Sequence, residues 1–120
     1  MKAIKMTPSD LGMDDVFEGL IEANKPVGKE LRQLTHDLRF KKSVDGEWIK
    51  QKIEDENPET IEWVFEVAEK FVTKIKLTCN DIVLTSIEDL TYYTEGNELI
   101  QKIVMKLLEM PKLGKRSKAT

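Results

Sequence analysis

The stretch NPETIEWVFEVAEKFVTKI, residues 57–75, most constrains the fold, because it joins a clear helix start to a wide apolar surface. Asn57 is a preferred N-cap residue, and Pro58 fits the first helical position, where no backbone donor is needed. The acidic side chains of the first turns place negative charge near the positive end of the helix dipole. The pattern predicts a helix over residues 58–76.

The apolar residues of this helix cover more of its circumference than one packing contact needs. With successive residues 100° apart, seven of them fill an arc of about 120°, which we expect to be core. The residues of this arc are Ile61, Val64, Phe65, Ala68, Phe71, Val72 and Ile75. Trp63 and Val67 lie outside it and widen the apolar arc to about 200°. Either this helix is central and surrounded by other helices, or the Trp63 edge contacts another molecule, and an oligomer would reconcile the two.

The N-terminal third of the chain reads as two helices. The segment TPSD, residues 7–10, resembles a capping pair at the start of a first helix, which would end at Asn24 or Lys25. Its apolar face at helical spacing comprises Val16, Phe17, Leu20 and Ile21. Pro26 suits the first turn of a second helix. The apolar face of the second helix comprises Val27, Leu31, Leu34 and Leu38, with Phe40 extending its packing.

Three later segments complete the pattern. A turn around Asp45-Gly46 is followed by a short helix, whose inward residues are Trp48, Ile49 and Ile53. Residues 78–90 read as a turn plus a short helix, with a strand at 82–85 as the alternative. Gly96-Asn97 restart a last helix, which Pro111 ends. The apolar side of that helix comprises Leu99, Ile100, Ile103, Val104, Leu107 and Leu108.

These segments predict an all-α fold, a compact single-domain bundle of about five or six short helices around a central helix 58–76. A length of 120 residues suits one domain with an ordinary core. We expect residues 1–111 to form this helical domain and residues 112–120 to form a basic, disordered tail.

Charge is unevenly distributed along the chain, although the formal net charge is only -3. Residues 53–111 hold five basic and thirteen acidic side chains, whereas residues 25–52 hold eight basic and four acidic ones. No apolar run reaches the length of a membrane span or a signal peptide. Cys79 is the only cysteine, which excludes an intramolecular disulfide and fits a reducing compartment. We therefore expect a cytoplasmic protein that does not associate with membranes.

Each residue with reactive potential has a simpler structural explanation. His36 has no specified partner for general-base chemistry, and Cys79 has no visible cationic activator. The cluster EDENPE, residues 54–59, lacks the ligand spacing of a calcium loop and reads as a solvated helix end. The six glycines are scattered singly, so no phosphate-binding loop is present. The sequence predicts no enzyme activity, no cofactor and no metal.

The basic middle of the chain allows a helix-turn-helix interpretation, with four lysines near a nucleic-acid backbone. These residues are Lys41, Lys42, Lys50 and Lys52. The acidic turn, the EDE sequence after the second helix and the lack of an outward row of Arg, Asn or Gln disfavour this interpretation.

The order of segments over residues 58–110 resembles the C-terminal half of the small tail assembly chaperones of long-tailed (siphovirus-type) bacteriophages. The segments that carry the resemblance are VAEKFVTKI, CNDI, SIEDLTYY and NELIQKIVMKLLEM. Where that family has an aromatic-polar segment between the two late helices, this chain has KLTCND. The resemblance implies a non-enzymatic protein of the host cytoplasm that binds the hydrophobic tape measure protein and recruits tail tube subunits during virion assembly.

A chaperone of this kind needs exposed apolar helix surface on an acidic, self-repelling body. The candidate partner-binding residues are Trp63, Val67, Phe17 and Trp48. The expected partner is a protein, either the tape measure or the tail tube protein, and a homo-oligomer is compatible with the pattern. The alternative function is a small binding or regulatory protein, such as a phage or plasmid inhibitor or an antitoxin.

Overall fold

A computed structural model describes residues 2–36 and 46–109 of the chain. This part contains four strands and five helices. The strands are β1 (Lys2–Met6), β2 (Glu18–Lys25), β3 (Val72–Cys79) and β4 (Ile82–Leu84). The helices are α1 (Gly28–His36), α2 (Gly46–Glu54), α3 (Pro58–Phe71), α4 (Ile87–Thr91) and α5 (Thr94–Leu107). The chain therefore has a mixed α/β fold, and the all-α prediction is wrong.

The four strands form one antiparallel sheet in the order β1-β2-β3-β4. Alternate residues of the two central strands are buried and form the inner face, which comprises Ile21, Ala23, Ile75 and Leu77. The opposite face carries a row of charged residues of alternating sign, in which Glu22 lies opposite both Lys5 and Lys74. Opposite charges at paired positions stabilise neighbouring strands. One face of the sheet is thus suited to the core and the other to water.

The core joins the inner face of the sheet to the helices, chiefly α3 and α5. The buried residues of α5 are Gly96, Leu99, Ile100, Ile103, Val104 and Leu107. Gly96 lies so close to α4 that a Cβ atom there would overlap the carbonyl oxygen of Leu90. This close approach fixes the corner between the two last helices.

The predicted first helix is a strand and a turn instead. The capping pair itself forms, because Thr7 N donates to Asp10 Oδ2 at 2.9 Å and Asp10 N donates to Thr7 Oγ1 at 3.3 Å. The capping pair stabilises a turn rather than the start of a helix. Gly12 adopts a positive φ of 71°, which a right-handed α-helix does not allow. The apolar spacing of residues 16–21 also fits a strand, and pairing of β2 with β1 and β3 decides the outcome.

The predicted helix 58–76 begins as expected but ends early. Asn57 Oδ1 accepts the backbone N–H of Thr60 at 3.1 Å, which confirms the N-cap, and Pro58 occupies the first turn. The helix ends at Phe71, because the sequence then turns to β-branched residues with alternating polarity that form β3. For residues 82–85 the alternative prediction of a strand is the better one, since β4 covers Ile82–Leu84.

The remaining predicted helices form where residues are described, but not all of their predicted residues lie as expected. Pro26 and Val27 precede α1, Val27 is 36% exposed, and Trp48 and Ile53 of α2 are only half-buried. Helix α1 buries Leu31 and Leu34, α2 buries Ile49, and α5 buries the predicted apolar side. Predictions that lie outside the described residues concern Leu38, Phe40, Lys41, Lys42, the turn at Asp45, Pro111 and the tail 112–120. The single-domain assignment stays a prediction.

Candidate protein-binding site

Helix α3 is rotated about its axis relative to the prediction. Its buried side comprises Thr60, Trp63, Val64, Val67, Ala68 and Phe71. With 100° per residue, the centre of this arc lies about 70° from the centre of the predicted one. Ile61 and Phe65, predicted to be core, are only half-buried, whereas Trp63 is 6% exposed and Val67 is 3% exposed. The apolar surface that α3 offers to another molecule is therefore the Ile61–Phe65 edge.

This edge forms one wall of an apolar groove where α2, α3 and α5 meet. The groove has a volume of about 390 Å³, within the range of pockets that hold ligands. Its main lining residues are Ile53, Ile61, Val64, Phe65, Asn97 and Gln101. We call it the three-helix groove.

The polar side of the three-helix groove is held in place by hydrogen bonds. The Asn97 side-chain nitrogen donates to the carbonyl oxygens of Thr91 and Tyr93 at 3.2 Å and 3.0 Å. These bonds fix the amide at the α4–α5 corner and leave its oxygen as an acceptor. The groove thus combines apolar walls with one oriented polar group, the usual composition of a recognition site.

Carboxylates border the three-helix groove. Glu62 precedes Phe65 by three residues on α3, and Glu98 precedes Gln101 by three residues on α5, so each lies beside a wall residue. Both are exposed, and neither forms a salt bridge within residues 2–36 and 46–109. Exposed carboxylates therefore lie on the helix surfaces next to the groove, although none of the residues that line it is charged.

The four residues predicted to bind a partner are not brought together at this groove. Trp63, Val67 and Phe17 are core residues, with 6%, 3% and 3% of their surfaces exposed. Trp48 is half-buried on α2, where the Lys52 Nζ lies 5.6 Å from its ring centre. Their role in binding stays a prediction, but in this conformation only Trp48 offers side-chain surface to a partner.

Among the described residues, three titratable groups have shifted pKa values, and each shift has a structural cause. Backbone hydrogen bonds from Thr7 and Thr85 lower the pKa values of Asp10 and Asp89, respectively. Burial lowers the pKa of Lys25, whose Nζ donates to the Leu107 carbonyl oxygen at 2.9 Å and so caps the end of α5. All three groups act in turns or caps rather than in a cleft that could bind a substrate.

The other residues with reactive side chains do not form a second candidate site in the described part of the chain. Cys79 is a half-buried free thiol at the end of β3, and the side chain of His36 lies outside the described part. Within that part, no group of three or more His, Cys, Asp or Glu residues is arranged to hold a metal ion.

None of the described helices combines the length and the apolarity needed to cross a bilayer.

Known protein families, curated proteins and solved structures were compared with this chain, and none matched significantly. The fold and the three-helix groove are therefore the basis for a functional assignment.

The sequence contains a signal for the groove residues. Once Val72 and Ile75 are assigned to a strand, the spacing of positions 60, 63, 64, 67, 68 and 71 marks a regular buried side. Ile61 and Phe65 then remain as an apolar pair four residues apart, outside that side. The polar Thr60 conceals this pattern, because a threonine is rarely fully buried.

Proposed function

We propose that the protein is a non-enzymatic assembly chaperone that holds an amphipathic helix of a client protein in the three-helix groove. The observation that carries the proposal is this apolar groove, with the exposed carboxylates Glu62 and Glu98 on the adjoining helix surfaces. Amphipathic helices bind grooves of this kind through apolar anchors spaced three, four and seven residues apart. These two carboxylates would complement Lys or Arg residues that border the apolar stripe of the client helix.

Within this class, a tail assembly chaperone is the function that we favour, and its client would be the tape measure protein. The residues that resemble this family, 58–110, include α3 and α5 and therefore two walls of the groove. A long helical client with apolar segments needs cover before assembly, and a negatively charged helper resists self-association while it provides that cover. The client would be released when tail tube subunits replace the chaperone.

Gene context provides the first test. The proposal expects a tail tube gene on one side of this gene and a tape measure gene on the other. A toxin gene beside it would instead support the regulatory alternative and contradict the chaperone assignment.

Co-expression with the tape measure protein of the same genome tests the groove directly. We expect the wild-type chain to keep this client soluble and to co-elute with it on size-exclusion chromatography. Phe65→Asp should abolish the complex, because it places a carboxylate on the apolar wall. Val83→Asp is the matched control, since Val83 is 64% exposed on β4 and lines a different groove.

Charge reversal supplies a test that does not alter the apolar wall. Glu62→Lys should weaken client binding about tenfold and leave the unfolding midpoint within error of wild type, because Glu62 is exposed. An insoluble client beside the wild-type chain, or a normal complex with Phe65→Asp, would refute the proposed function.

A further inference from the structure

One edge of β3 is only partly covered. On one side, β2 pairs with β3 from Val72 to Thr78. On the other side, β4 pairs only with Leu77–Cys79, because β4 is three residues long. Within the described residues, the segment Val72–Lys76 therefore has no strand neighbour on the β4 side. We call this segment the open edge.

The turn between β3 and β4 fixes the direction of the backbone groups at the open edge. Asn80 and Asp81 form a two-residue turn, and both have positive φ, as in a type I′ hairpin. The pair that flanks such a turn is hydrogen-bonded, and hydrogen-bonded pairs recur every second residue. The N–H and C=O of Cys79 and Leu77 therefore point toward β4, and those of Ile75 point the same way beyond the end of β4.

A groove runs along the open edge and has a volume of about 550 Å³. Val72–Ile75 form one wall, and residues 85–88 with Thr91 form the opposite wall. Among the described residues, no backbone hydrogen bond crosses from the open edge to the opposite wall. Within the described residues, no strand therefore occupies the groove beside the edge, and a strand added there would lie about 4.8 Å from β3.

The opposite wall is held by its own hydrogen bonds. Ser86 Oγ accepts from Asp89 N at 3.0 Å, and Asp89 Oδ2 accepts from Thr85 N at 3.0 Å. These donors are already satisfied, so the wall does not need to close onto β3. The groove is therefore present before any partner binds.

The charges at this groove indicate the chemistry of its occupant. The carboxylates of Glu69 and Glu88 line it, and neither forms a salt bridge within the described ranges. Lys74 also lines it, so the groove holds two carboxylates and one lysine. Ile75 and Ile87 supply buried apolar surface at the base. The site favours an extended segment with apolar residues at alternate positions and basic residues at its ends.

We propose that the open edge of β3 is a second binding site, at which a basic, extended segment of a partner protein adds as a strand in line with β4. Backbone hydrogen bonds to Ile75 hold the segment, and Glu69 and Glu88 select basic ends. This proposal does not depend on the three-helix groove or its client.

The test uses the full chain and a synthetic peptide of alternating Thr and Val with a lysine at each end. We expect binding by isothermal titration and slower amide exchange at Ile75 in the complex. A peptide with glutamates at its ends should bind about tenfold more weakly, and so should one with an N-methyl group on the central residue. Equal binding of all three peptides, or none by the lysine peptide, would overturn the proposal.

Variants of the chain complete the test. Glu88→Lys should reverse the preference between the two end charges, whereas Glu98→Lys, on exposed surface at the other groove, should not. If the peptide binds only after residues 110–120 are deleted, the chain's own end is the occupant and the proposal is wrong. It is equally wrong if the free chain forms dimers that the peptide dissociates, because the occupant is then a second copy.

Discussion

The two apolar edges of α3 lie on one helix and have opposite environments. The Trp63–Val67 edge is inside the core, whereas the Ile61–Phe65 edge is half-exposed in the three-helix groove. Both edges consist of large apolar residues spaced four apart, so their sequence patterns are equivalent. The elements packed around a helix, rather than its own periodicity, decide which edge stabilises the fold and which is available for binding.

The largest expected effect is at the buried edge. Trp63→Ala should lower the free energy of unfolding by about 3–5 kcal/mol, because it removes a large buried ring and leaves a cavity. Urea denaturation measures this loss. A loss below about 1 kcal/mol would show that Trp63 is not a core residue.

The N-cap of α3 stabilises the helix that carries both edges. Its removal is expected to have the next largest effect on stability. Asn57→Ala should cost about 1 kcal/mol of stability, since it removes the acceptor for Thr60 N. Asn57→Asp is the matched control and should retain most of the stability, because aspartate also accepts this bond. An alanine variant as stable as wild type in thermal denaturation would contradict the role of this cap.

Thr60 is a polar residue on the buried side of α3, and its replacement by an apolar residue is expected to stabilise the protein rather than destabilise it. Thr60 is fully buried, and its hydroxyl oxygen has no hydrogen-bond partner within the described part of the chain. Thr60→Val should raise the free energy of unfolding by about 1 kcal/mol, because it replaces an unsatisfied polar group by a methyl of the same shape. Thr60→Ser is a useful control, since it keeps the hydroxyl and loses a methyl, and it should destabilise. Destabilisation by valine would show that the hydroxyl is satisfied in solution.

The smallest effect on stability is expected at the half-exposed edge. Ile61→Thr should cost about 0.5 kcal/mol, because it removes apolar contact from a side chain that is only partly buried. The same variant should weaken client binding measurably, since Ile61 lines the three-helix groove. A loss of stability as large as that of Trp63→Ala would remove the distinction between the two edges.

Local interactions make some features predictable from sequence. The start of α3 depends on Asn57 and Pro58, which act within four residues, and the predicted helix start is confirmed. The capping pair of Thr7 and Asp10 is equally local and is also predicted. The path of the chain beyond Asp10, however, depends on Gly12 and on pairing with distant strands.

Long-range pairing makes other features unpredictable. Residues 18–23 pair with residues 72–78, which lie 49 to 60 positions away, and nothing within either segment identifies the other. Although residues 72–79 alternate in polarity, Val72 and Ile75 also continue the helical spacing of the segment before them, and Phe17, Leu20 and Ile21 fit a helix as well, so both segments read as helix when each is taken alone. Counting Val72 and Ile75 as helical then places the core on the Ile61–Phe65 edge, and the predicted binding residues fall on the opposite edge.

Photo-crosslinking along α3 tests most directly which edge of this helix meets the proposed client. A benzophenone amino acid at position 65 reports on the three-helix groove. The same group at position 66 reports on the other edge without disturbing the core, because Glu66 is exposed and lies one turn from Trp63. In cells that also express the tape measure protein, we expect crosslinks to this client from position 65 and none from position 66. Crosslinks from position 66 alone would contradict the assignment of the groove as the binding surface.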